Sequence, residues 1–133
     1  MAFYRTREGA VTAADSFTAL GSLYGSSTTA SVQIPKQASQ IVGIIATVAS
    51  DSATNGATTF AVQLSGDGLS QGQETLVVGS QGVDGTPASN GATNSPMIMD
   101  VAIPCVGSNQ VSIAVAMDTD VGSCSAAVTL VFA

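Results

Sequence analysis

The closest pair of carboxylates in the sequence is Asp118 and Asp120, in Asp118-Thr119-Asp120. Two carboxylates can share the acid and nucleophile or base roles of glycoside hydrolysis. Sugar sites also use aromatic platforms. Trp is absent here, and both tyrosines, Tyr4 and Tyr24, lie near the N-terminal end of the sequence. The same pair could hold Ca²⁺ through carboxylate oxygens, helped by Asp67 or Asp84 from other turns. Aspartate is also a favoured turn residue, because its side chain bonds its own backbone. Asp118 and Asp120 therefore stand as a calcium candidate beside an ordinary turn role, and no cofactor is expected.

Other reactive constellations are missing. The sequence contains no histidine, which removes Ser-His-Asp and Cys-His catalysis and most zinc sites. The single lysine, Lys36, follows Pro35 in a turn, a poor setting for a Schiff base. No glycine-rich phosphate loop follows a strand pattern. Two cysteines, Cys105 and Cys124, make neither a disulfide framework nor a zinc site. Two small buried thiols are the expectation, with a bridge between neighbouring strands as the alternative. Arg5 and Arg7 could touch phosphate, but Glu8 adjoins them. Together with Phe3 and Tyr4 they form an aromatic-basic head whose aromatics could bury against a neighbouring subunit or dock on their own domain. No catalytic residues are assigned, and no enzyme is expected.

The elements that would position these residues are strands. Ser123 to Ala133 alternates Cys124, Ala126, Val128, Leu130 and Phe132 with Ser, Ala, Thr and Val, a period of two. Its abrupt end predicts a strand pinned inside a sheet. Thr28 to Ile34, Thr58 to Ser65, Gln73 to Gly79, Met97 to Ile103 and Gln110 to Met117 follow the same rule. Gln40 to Ala49 is apolar on both faces and rich in β-branched residues, which predicts a central strand. Gln110–Met117 and Ser123–Ala133 are separated by one Asp-rich turn, so a hairpin is expected between them. Ser80 to Pro96 reads as one long loop, beyond the usual loop length. Residues 1–25 read as an N-terminal arm or first strand, with a short helix or strand over Thr12 to Leu20. Residues 26–133 read as a single β-sandwich domain.

The fold class expected is all-β: an antiparallel β-sandwich of about eight strands. An eight-strand count suits a jelly roll. Seven would suit an immunoglobulin-like sandwich, whose buried Trp is impossible here.

Composition narrows the class of function. The chain of 133 residues is 45% hydrophobic and only 9% charged, against about 25% charged in ordinary domains. A surface of Ser, Thr, Asn, Gln and Gly suits dense lateral packing, since few charges need desolvating at contacts. The net charge is −6, and no cation follows Lys36. An acidic body argues against direct nucleic-acid binding. No apolar run of about 18 residues predicts a transmembrane segment. The first ten residues lack the apolar core of a signal peptide, so manufacture in a host cytoplasm without a leader is expected.

A short arm, about eight strands, few charges and no catalytic groups together resemble the single jelly-roll capsid and capsid-decorating proteins of icosahedral viruses. The resemblance covers Thr28 to Ala133, rests on pattern and composition, and transfers no site residue. It implies self-assembly into homo-oligomers, trimers or pentamers, with other capsid proteins as partners and the virion as location. The missing basic arm points to an outer-layer, membrane-facing or decorating role rather than a genome-lining coat. A receptor- or glycan-binding module using the 80–96 loop, and a surface fibre or surface-layer subunit, are the alternatives.

Overall fold

The computed structural model describes residues 2–12, 16–21, 31–50, 56–83, 96–117 and 123–133. Nine strands cover most of them: β1 Phe3–Thr12, β2 Thr18–Ala19, β3 Ser31–Gln33, β4 Gln40–Ser50, β5 Gly56–Ser65, β6 Glu74–Val83, β7 Met97–Pro104, β8 Gln110–Met117 and β9 Ser123–Phe132. The described residues contain no helix. Two antiparallel sheets face each other. The first runs β1-β9-β4-β7; the second runs β2-β8-β5-β6, with β3 following β2 along the same side of β8.

The pairing has a simple logic. β5 pairs with β6, β4 with β7, β2 and β3 with β8, and β1 with β9. The chain is one long antiparallel ribbon with the β5–β6 turn at its tip, rolled so that its pieces alternate between two sheets. With β2 and β3 taken as one interrupted strand, this is the eight-stranded jelly roll that the strand count predicts. At the ribbon's tip the left-handed Gly66 (φ 119°) makes the turn after β5.

Alternation places the core between the sheets. Phe60, Val62 and Leu64 of β5 and Val111, Ile113, Val115 and Met117 of β8 point in from one side. Ala126, Val128, Leu130 and Phe132 of β9 meet them with Ile41, Ile44, Ala46 and Val48 of β4. Ile41 and Ile44 both face inward because β4 carries a bulge between Ile41 and Gly43, which shifts the side-chain parity. Full burial of each such large side chain contributes about 1.5–3 kcal/mol.

Two local expectations are corrected, and a third is narrowed to one of its alternatives. β8 and β9 do not form a hairpin. β9 lies between β1 and β4 in one sheet, and β8 lies in the other. β8 and β9 thus belong to opposite sheets, as rolling the ribbon requires. β6 continues through Ser80, Gln81, Gly82 and Val83, paired with Gly56 to Thr59, so the long loop does not begin at Ser80. Backbone pairing to β5 overrides the weak strand preference of Gly and Ser. In the stretch expected to hold a short helix or strand, Thr18 and Ala19 pair with Val115 and Ala114 of β8.

Candidate functional site

β1 lies at the edge of the first sheet, and its register with β9 sets where the aromatic-basic head points. Phe3 is opposite Phe132, Arg5 opposite Leu130 and Arg7 opposite Val128. Both arginines thus occupy the inward-facing row of an edge strand. An interior strand could not tolerate this, but at an edge a long side chain can leave past the rim of the sandwich. Phe3 packs half-buried against the core. Arg7 is half-buried and bridges the two sheets. Its Nη2 donates to the Ser31 carbonyl of β3 at 3.0 Å and its Nη1 to the Thr6 carbonyl at 2.9 Å. Its Nε is buried without a hydrogen-bond partner. Arg5 is exposed and donates Nη1 to the Tyr4 carbonyl at 3.0 Å. Tyr4 points to the opposite, outer face and is 59% exposed.

Arg5 borders a cleft of about 310 Å³ that also takes in Lys36. Phe3 and Arg5 form one wall. Ile34, Pro35, Lys36 and Gln37 form another, and Gln33 and Ser108 close it. Two turns are locked together to build it. The Ile34 N–H donates to the Asn109 carbonyl at 2.9 Å, and the Ser108 N–H donates to the Ile34 carbonyl at 3.0 Å. Gln33 Nε2 donates to the Ser108 carbonyl at 3.3 Å. Ser108 adopts φ 72°, the one left-handed non-glycine residue among those described. Beside it, Gly107 sits so close that a Cβ would collide with the Lys36 carbonyl oxygen. The cleft thus gathers two of the chain's three cations at the start of β1. Its lining holds no His, Cys, Asp or Glu. Such a surface can attract a carboxylate or other anion by charge, and it offers no nucleophile–base pair.

Other candidates fare differently. Asp118 and Asp120 lie outside the described residues, as do Asp84 and the rest of 84–95. Asp67 has a turn role: its Oδ1 accepts the Gln110 N–H at 3.2 Å, and its carbonyl accepts Asn109 Nδ2 at 3.3 Å. That places it at the far end of β8 from Met117, the residue before Asp118. Among the described residues no three His, Cys, Asp or Glu come together as a metal site. Cys105 is a free buried thiol whose pKa burial pushes up, which disfavours the reactive thiolate. Its N–H bonds the Ser39 carbonyl just before β4 begins, whereas Cys124 pairs with Ser50, the residue that ends β4. The length of β4 separates the two backbones, far beyond disulfide reach.

The outward faces carry little charge. On the second sheet, Ala61, Ala114 and Ala116 sit beside Ser65 and Ser112, and Ser112 shares a 2.9 Å hydroxyl contact with Ser31. On the first sheet two rows cross all four strands. Tyr4, Val131, Gly43 and Asp100 form one; Thr6, Thr129, Ile45 and Ile98 form the next. The Thr6 and Thr129 hydroxyls are 2.8 Å apart.

The meeting of Arg5, Lys36 and Ser108 escaped the sequence reading. Pro35-Lys36 was recognisable as a turn, but only the pairing of β1 with β9 brings Arg5 beside it.

No protein-family model and no curated protein matches the sequence. Among solved structures, the chain is similar to one of infectious bursal disease virus, Gx strain, at 14% identity and a TM-score of 0.55. It is similar to T=1 particles derived from infectious bursal virus, at 14% identity and a TM-score of 0.56. It is also similar to the infectious bursal disease virus VP2 subviral particle, at 14% identity and a TM-score of 0.54. Each alignment covers 99% of this chain and 31%, 31% and 32% of those chains, respectively. At this identity the likeness is one of fold: the chain is an all-β sandwich like that in proteins of a virus particle, whose chains are about three times as long.

Proposed function

We propose that this chain is a self-assembling structural subunit of an icosahedral virus particle, a capsid or capsid-decorating protein. The observation that carries the reading is the fold likeness to chains from viral particles over 99% of the sequence. Two features support it. The outer sheet faces carry few charges, which keeps the desolvation cost of lateral contacts low. The gathered polar groups at the cleft can bind but lack a catalytic set. In this reading the chain works as a homo-oligomer, trimer or pentamer, in the virion beside other capsid proteins, and makes no direct contact with nucleic acid. Tyr4 and Arg5 are the exposed members of the head available for subunit contacts. Phe3 and Arg7 support them from within their own domain.

Light scattering and electron microscopy of the purified chain test this. A defined oligomer or closed shells are expected. A strict monomer at high concentration would sink the proposal.

A further inference from the structure

The cleft beside Arg5 lies at the end of the sandwich where β1 and β8 begin and β3 and β9 end. It draws on both sheets, and its walls are of two kinds. Pro35 is buried and Phe3 half-buried, and they give it apolar surface. Arg5, Gln33, Lys36, Gln37 and Ser108 are exposed and give it polar side chains. Two positive charges thus stand over an apolar patch, with no carboxylate in the lining to match them.

The cleft is also preformed. Ile34 and Ser108 spend their N–H groups on locking its two turns together. Ser108 is held at φ 72°, and Gly107 leaves no room for a Cβ against the Lys36 carbonyl. A rigid backbone lowers the ordering cost of binding.

Size and charge select the ligand. A volume of about 310 Å³ lies at the small end of ligand pockets, which run from about 300 to 1,000 Å³. It has room for one ring-sized group. The chain carries a net charge of −6, with no cation after Lys36. A polyanion laid across this surface would bring most of its charges against an acidic body. A ligand with a single negative charge meets the two cations without that penalty.

We propose that the cleft binds an acidic sugar, a pyranose bearing one carboxylate. The carboxylate takes charge-assisted hydrogen bonds from Arg5 and Lys36. The C–H face of the ring lies on Phe3 and Pro35, and its hydroxyls bond Gln33, Gln37 and Ser108. A lone aspartate or glutamate side chain from a protein would use the two cations and leave the amides and the apolar patch unfilled. A strict monomer would carry the same cleft, so this reading and self-assembly fail separately.

Saturation-transfer NMR and calorimetry of the full chain with methyl β-D-glucuronide test this. A dissociation constant of about 1 mM or tighter is expected at low salt. Acetate, which brings only the carboxylate, and methyl β-D-glucoside, which lacks it, should each bind about tenfold more weakly or worse. Arg5→Gln and Lys36→Gln should each weaken glucuronide binding about tenfold, since each removes one charged donor from an exposed position. Circular dichroism keeps the comparison to folded protein. Glucuronide that fails to bind, binds no better than acetate, or binds both variants as well as the unaltered chain overturns the assignment. An acidic peptide that binds more tightly than the glucuronide and loses affinity in both variants also overturns it, in favour of a protein partner.

Discussion

β1 and β9 pair along ten positions, Phe3 opposite Phe132 through Thr12 opposite Ser123. On β9 the core-facing row is Ala126, Val128, Leu130 and Phe132, each at most 2% exposed. On β1 the facing row is Phe3, Arg5, Arg7, Gly9 and Val11, of which only Val11 is fully buried. The strands share a ladder and differ in position: among the described strands β9 has neighbours on both sides and β1 on one. An interior strand must fill its inward row with apolar groups. An edge strand can spend the same row on guanidiniums that clasp the second sheet or reach out past it. Position in the sheet therefore decides what an alternating residue can do.

Substitutions on the two strands should separate accordingly. The largest loss is expected for Phe132→Ala, which empties one of the biggest fully buried side chains. A cost of about 3–5 kcal/mol in denaturant unfolding is expected. Arg7→Ala should cost less, about 1–2 kcal/mol, for the lost bond to Ser31 and the packing of its stem. A loss equal to that of Phe132→Ala would mean the edge row is as essential as the interior one. Arg5→Ala should leave unfolding within about 0.5 kcal/mol of the unaltered protein, because its side chain is exposed and, among the described residues, bonds the adjacent Tyr4 carbonyl alone. A larger drop would erase the distinction between an arginine that holds the domain and one that faces outward.

Much of this architecture could be read in the residues, because strand burial is written with a period of two. Met97, Met99, Val101 and Ile103 share the inward face of β7, as their spacing predicts. Gln110–Met117 has the predicted bounds. What failed was adjacency. The alternation of β8 and β9 fits a hairpin and a sheet-to-sheet crossing equally well, and only the whole set of pairings decides between them. The cleft was hidden for the same reason. Arg5, Lys36 and Ser108 are far apart in sequence, and no local pattern reports that β1 closes against β9. The left-handed backbone at Ser108 carries no residue signature either, since glycine, asparagine or aspartate would be its usual sign.

The rolled ribbon has a consequence in time. Its outermost pairing joins β1 to β9, the first described strand to the last. Nearly every ladder spans a long stretch of chain, a topology that folds in milliseconds to seconds rather than microseconds. Until β9 is available, β1 has no partner in its sheet, and β4 lacks one on the side that β9 fills. The last described strand is thus the one that completes the first sheet. A chain truncated before β9 would lack the inserted strand that holds β1 in place, so the β1 edge of the first sheet forms only after β9 has joined it.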